Sequence, residues 1–198
     1  MRIRKTQAER REESEQALLI AASEILIELG YNAATFERIS ERAGYSSSLV
    51  TSRFGSRDGL FRAIIEFLRV RLEGYISAAL APSATGKEKI TRFSAAFMAH
   101  LEEDSLARAY YVLLAAAVAN RLPQSGYFLE QHATIAARVS DLICDGQKDG
   151  SISTAISPSL AAMGVGCLQL GIATQLLIDP DMPLKDLRWV LLRYESAL

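Results

Sequence analysis

Four side chains in this sequence are of the types that hold metals or act as nucleophiles: His100, His132, Cys144 and Cys167. A zinc centre or a Cys–His pair needs ligands at short, recognisable spacings, and these four are scattered with no such motif around them. No glycine-rich phosphate loop accompanies them. The residues therefore read as those of a protein that is not an enzyme, with no catalytic residue, no metal site and no cofactor.

A denser constellation lies between residues 46 and 53, where Ser46, Ser47, Ser48, Leu49, Thr51, Ser52 and Arg53 follow one another around Val50. Small hydroxyl side chains let a helix approach closely and can hydrogen-bond phosphate oxygens or base edges. A leucine can touch a thymine methyl, and an arginine can reach a guanine or a phosphate. Val50 and Phe54, four apart, would face a core and leave Ser47, Ser48, Thr51 and Ser52 outward, with Leu49 and Arg53 at the margins. A tight helical corner with solvent-facing serines would show the same pattern, so spacing alone leaves both readings open.

The elements that would position this segment are short and well punctuated. Leu18, Ala21, Ala22, Ile25, Leu26 and Leu29 form an apolar stripe over residues 14–29 that stops at Gly30. Thr35 can cap a second helix running through Ala43, with Gly44 as the turn residue. Ser46 caps a third ending at Gly55, and Ser56 a fourth that continues to Ala79 with Asp58 in its first turn. Two short helices joined at Gly44 and Tyr45 form a helix-turn-helix geometry, in which the first braces the second for a DNA major groove. Further helical patterns cover 87–102, 105–120, 124–148, 159–178 and 184–197, separated by prolines, and no alternating strand segment stands out. The expected fold is all-α.

Composition agrees with a folded chain that has a substantial core. Of 198 residues, 49% are hydrophobic, and 22 Lys and Arg nearly balance 23 Asp and Glu, which excludes a disordered, highly charged chain. Near-neutrality argues against nonspecific coating of DNA but not against a local basic surface. Arg2, Arg4, Lys5, Arg10 and Arg11 face only Glu9 in the first eleven residues, so an N-terminal arm could follow phosphates or enter the minor groove, or fray in solvent. Glu12, Glu13 and Glu15 limit the patch. Two cysteines make no disulfide framework, and the charged N-terminus lacks the apolar run of a signal peptide; both point to the cytoplasm. The uncharged stretch 160–178 approaches the length of a membrane span, but Gln169, Thr174, Gln175 and three glycines favour a buried or subunit-interface helix, with no membrane as partner.

From Leu18 to Phe61 the sequence resembles the tetracycline-repressor (TetR) family of bacterial transcription regulators. The residues that carry the likeness are Ala21-Ala22, Leu29-Gly30-Tyr31, Ala34-Thr35, Ile39-Ser40, Arg42-Ala43-Gly44, Ser46, Val50 and the run Phe54-Gly55-Ser56-Arg57-Asp58-Gly59-Leu60-Phe61. The resemblance implies a DNA-binding domain over 1–55, a connecting helix over 56–80, and a larger helical effector-binding and dimerisation domain over 81–198. It also implies a homodimer on a double-stranded, pseudo-palindromic operator, released when a small-molecule effector binds. Carried over by position, Thr35 and Ser46 stand at helix starts that hold phosphates. Arg57 stands where a phosphate-binding Lys is usual, and Ser47, Ser48, Leu49, Ser52 and Arg53 stand at base-facing positions. Thr51 departs from the usual Tyr and reaches less far towards a phosphate.

In the C-terminal part, Phe97, His100, Tyr111, Tyr127, Phe128, His132, Met163 and Cys167 combine apolar bulk with a few polar handles, as a pocket for an organic effector requires. Gly164, Gly171 and Gln175, with Trp189 and Leu192 on the last helix, mark a surface that another helix can approach closely. In the resembling family such a helix pair forms the dimer interface; a buried monomeric core is the alternative. The competing functional reading is a helical small-molecule-binding protein that keeps the fold but has lost operator recognition.

Overall fold

A computed structural model describes residues 6–80 and 84–196, with residues 192 and 194–196 described by backbone alone. The described residues form helices α1 (Gln7–Leu29), α2 (Phe36–Ala43), α3 (Ser47–Phe54), α4 (Arg57–Ala79), α5 (Gly86–Glu103), α6 (Arg108–Asn120), α7 (Ser125–Asp149), α8 (Pro158–Ile178) and α9 (Leu184–Ser196). One turn of 3-10 helix (Tyr31–Ala33) links α1 to α2, and no strand occurs among them.

The first helix begins two turns before the apolar stripe that predicts it. Thr6 closes a capping box: its Oγ1 accepts from the Glu9 N–H at 3.2 Å, and its own N–H donates to Glu9 Oε2 at 2.6 Å. Those two bonds satisfy amide groups for which the helix itself has no partner. Arg10 and Arg11, expected in an extended arm, are therefore exposed helical residues, whereas Arg4 and Lys5 lie outside the described residues. The sixth helix starts later than the 105–120 pattern suggests. The buried Asp104 carboxylate accepts the Leu106 N–H at 3.0 Å, which holds the chain in a turn until Arg108.

Three apolar clusters organise the helices. The first joins Leu18, Ala22, Ile25 and Leu26 of α1 to Ile39 of α2, Val50 of α3, and Leu60, Phe61, Ile64 and Leu68 of α4; Ala109, Leu113 and Ala117 of α6 and Phe128 of α7 complete it. Burying one such side chain contributes about 1.5–3 kcal/mol, so α2 and α3 are held mainly through the few they insert. The second cluster packs Ile76, Ile90, Phe93, Val139, Ile143 and Val165 between α4, α5, α7 and α8. The third packs Phe97, Tyr111, Ile172, Leu176 and Leu191 between α5, α6, α8 and α9.

At the crossing of α5 and α7 the backbones meet without side chains between them. A Cβ built on Gly86 would lie 2.1 Å from the Gly146 backbone nitrogen, so only glycine fits. The first turn of α5 is capped there from across the crossing: Gly86 N–H donates to Asp149 Oδ2 at 2.7 Å, and Lys87 N–H to Ser151 Oγ at 3.2 Å. The apolar helix α8 is long enough to span a bilayer by length and composition. Ala161, Ala162, Val165, Ile172, Ala173 and Leu176 nevertheless turn one of its faces into the protein interior.

Candidate functional site

Two places gather the residues that the sequence singles out. The first is the pair α2 and α3. Thr35 Oγ1 caps α2 by accepting the Arg38 N–H at 3.4 Å, and Gly44 takes the left-handed conformation (φ 74°, ψ 30°) that turns the chain between the helices. Ser46 Oγ caps α3 through the Leu49 N–H at 3.3 Å. Val50 is fully buried and Phe54 half-buried, so Ser47, Ser48, Thr51 and Ser52 are presented to solvent along one face, while Leu49 is partly tucked against the core.

Every hydroxyl on this face has a local partner. Ser47 pairs with Ser40 at 2.8 Å and Ser48 with Ser46 at 2.9 Å. Thr51 donates back to the Ser47 carbonyl at 3.1 Å, and Ser52 to the Leu49 carbonyl at 3.2 Å. Such bonds at an exposed surface contribute little net stability and can be exchanged for phosphate or base partners at small cost.

The cations near α3 are arranged differently from one another. Arg53 turns back to α1, donating to Ser14 Oγ at 3.3 Å, and with Arg10 and Arg11 it surrounds a surface recess beside the start of α1. Arg57 donates to the Tyr31 carbonyl at 2.7 Å and stacks its guanidinium 4.3 Å from the Tyr31 ring centroid. Arg42 ties α2 to α1 through Glu28 at 2.6 Å.

The second place is a cavity of about 270 Å³ enclosed by α4, α5, α6, α7 and α8. Leu68, Leu72 and Ile76 of α4, Phe93 of α5, and Ile135 and Val139 of α7 make it largely apolar. Of the expected lining residues, Phe97, His100, Tyr111, His132, Met163 and Cys167 are brought together here, Met163 and Cys167 at an exposed rim. Tyr127 and Phe128 are not part of it. They occupy the first turn of α7, which packs against the amino-terminal half of α4: Phe128 is buried in the first cluster, its ring centroid 5.1 Å from that of Tyr110 in an edge-to-face pair, and Tyr127 lies under the Arg62 guanidinium at 4.0 Å. One turn later, Gln131 and His132 face the cavity.

The polar groups of the cavity are nearly all uncharged. Burial pushes the His100 imidazole down to about 4, with the Asp104 carboxylate opposing that shift and Arg71 adding to it. Burial also lowers His132 and raises the phenols of Tyr110 and Tyr111. His100 Nδ1 faces Asp104 Oδ2 at 3.5 Å. Asp104 accepts both Arg71 Nε at 2.6 Å and Arg71 Nη2 at 2.9 Å. Burial alone would raise the Asp104 carboxyl, but the Arg71 hydrogen bonds, the Leu106 N–H and the Arg71 charge hold it below the usual carboxylate range. Sequence reasoning misses this His100–Asp104–Arg71 chain, because Arg71 stands a helix away and no local pattern marks the pairing.

On the outer side of α8 and α9, Leu160, Met163, Ile178 and Trp189 are more than 60% exposed. Gly171 and Gln175 are exposed and Gly164 is half-buried; a Cβ on Gly171 would meet open space. The side chain of Leu192 lies outside the described residues.

Two short helices set by a left-handed glycine, standing on a helical body with an apolar chamber, define a DNA-binding fold of the helix-turn-helix class. Residues 18–64 match the family described as "Bacterial regulatory proteins, tetR family". The chain resembles that family over those residues. It is 32% identical over 95 residues to the HTH-type transcriptional activator FasR of Mycolicibacterium smegmatis, a match that spans 48% of this chain and only 43% of that protein. Among solved structures, a putative TetR-family transcriptional regulator from Rhodococcus sp. superposes with a TM-score of 0.82 at 22% identity, covering 93% of this chain and 98% of its own. A SmeT–triclosan complex, SmeT being a repressor of Stenotrophomonas maltophilia, gives 0.78 at 19% identity over 93% and 90%. At these identities the structural likeness is one of fold.

Proposed function

We propose that this chain is a cytoplasmic, homodimeric repressor that reads a pseudo-palindromic operator and releases it when an organic effector fills the cavity. In this reading residues 1–55 contact DNA, 56–80 connect, and 81–198 bind effector and pair with a second copy. Ser47, Ser48, Leu49 and Ser52 face bases, as does Arg53 once it leaves Ser14 Oγ, while Thr35, Ser46, Thr51 and Arg57 hold phosphates, with Arg4 and Lys5 on the arm. Gly164, Gly171, Gln175, Trp189 and Leu192 belong to the isologous interface, which would cover the apolar residues exposed on α8 and α9. SmeT, seen with triclosan, supplies a precedent for a small organic ligand in this fold.

The observation that carries the reading is the course of α4. Its first turn holds Arg57 against Tyr31 beside the helix-turn-helix, and its later turns give Leu68, Leu72 and Ile76 to the cavity wall. Polar ties fix it on the way: Gln124 Nε2 donates to Asp58 Oδ1 at 2.8 Å, Arg71 binds Asp104, and Arg138 binds Glu73 Oε2 at 2.7 Å. A ligand that pushes on the later turns shifts the first turn, and with it α3. Only a difference in affinity between the two α4 positions can drive that shift, with typical couplings of about 1–3 kcal/mol.

The test is to incubate the purified protein with fragmented genomic DNA of its source, sequence the retained fragments, and titrate the best one by fluorescence anisotropy across a salt series. A shared inverted repeat with a steep salt dependence is the expected result. Retention without a shared sequence would instead support the binding protein that has lost its operator, a reading that Thr51, shorter than the Tyr usual at that position, favours.

A further inference from the structure

We propose that the cavity takes an uncharged, mainly apolar molecule carrying one hydroxyl, and that the hydroxyl donates its hydrogen bond to His100 Nε2. This rests on the cavity being the effector site and goes further, to the chemistry of the effector.

The cavity has no free charge to meet an ionised ligand. Its histidines are neutral near pH 7 because burial disfavours their cationic forms, and its tyrosines keep their protons for the same reason. Arg69 is the cation in the wall, and Glu66 grips it with both carboxylate oxygens, at 2.7 Å to Nε and 2.6 Å to Nη2. A carboxylate entering this chamber would lose its hydration and gain no counter-ion, which costs several kcal/mol.

The hydrogen-bond chemistry of His100 is fixed from behind. The residue is 4% exposed, and Nδ1 is buried without a hydrogen bond, turned to the Asp104 carboxylate at 3.5 Å. Asp104, held ionised by Arg71, favours the tautomer whose proton sits on Nδ1, facing the negative charge. Nε2 then carries a lone pair and is the nitrogen left to meet a ligand in the cavity that the ring lines. An acceptor in an apolar chamber selects a donor. A hydroxyl supplies one without bringing charge, whereas an ether or ester offers only further acceptors.

The experiment uses full-length protein and three probes of matched size: 4-butylphenol, 4-butylanisole and 4-butylbenzoate, each titrated by isothermal calorimetry at pH 7.5. The phenol should bind about tenfold more tightly than its methyl ether and the benzoate more weakly still. In His100→Phe, which keeps the ring volume, the phenol and the ether should become equal while the ether keeps its affinity. A benzoate as tight as the phenol overturns the uncharged ligand, and an ether as tight as the phenol in the wild-type protein overturns the role of His100. Binding of none of the three overturns the inference as a whole. The operator selection above is read independently, so a regulator with a different effector chemistry is distinguished from a protein that does not regulate.

Discussion

The helix-turn-helix and the cavity solve opposite problems. Between Thr35 and Phe54 nearly every polar group is answered within a few residues: caps at Thr35 and Ser46, back-bonds from Thr51 and Ser52. The cavity is assembled from five helices, and its decisive polar chain joins Arg71 of α4 to Asp104 beyond the end of α5. A reading surface built from local, exchangeable bonds can be remade by changing single side chains. A chamber built from distant groups holds only while its frame holds.

The largest effect should come where the two regions share a core. Phe61 is fully buried beneath Tyr31, with which its ring makes a 4.9 Å contact. Phe61→Ala should cost about 3–5 kcal/mol in urea unfolding and should weaken DNA binding and probe binding together. Retention of either function alone at wild-type level would show the regions to be separable.

Acid should act on the cavity next. His100 in the folded protein titrates at about 4, below the ordinary 6.5, so between these values the unfolded chain binds the extra proton and the folded one does not. Stability is therefore complete above pH 6.5 and falls as pH drops towards 4, by about 3 kcal/mol. His132, also lowered by burial, acts in the same direction, and Asp104, held below its ordinary range, adds a further loss at lower pH. Chemical denaturation at a series of pH values should show this slope, and His100→Phe should flatten it.

On the DNA side, Arg57→Ala should weaken binding to all sequences alike by about 1–3 kcal/mol and reduce the salt slope by about 1, as expected of a phosphate contact. A change in sequence preference instead would move Arg57 to the base-reading set. The smallest effect should be Thr6→Ala. Loss of the capping box should cost about 1 kcal/mol and fray the turn that carries Arg10, read as faster amide exchange there.

The same contrast explains what was legible in the sequence. Caps, the left-handed glycine and the Val50–Phe54 spacing are local signals, and they locate α2 and α3 to the residue. The Thr6–Glu9 box was equally local, but the run of basic residues around it suggested an arm. In the cavity, aromatic and histidine residues on amphipathic helices announced a chamber. Their facing depended on how α7 meets α4, so Tyr127 and Phe128 could not be told from His132, one turn away. The Arg71–Asp104 pair left no trace, because an acidic residue at a helix end is usually solvated.

The glycine contact between α5 and α7 bears on what such a chamber can become. Any side chain at Gly86 would collide with the backbone at Gly146, and the crossing is stitched by Asp149 and Ser151. The two walls are thus riveted beyond the lining residues, while Phe97, His132 and Met163 can be exchanged without touching the rivet. A lineage carrying this frame is free to change the chemistry of the chamber by redecorating its interior, and is barred from doing so by moving the walls.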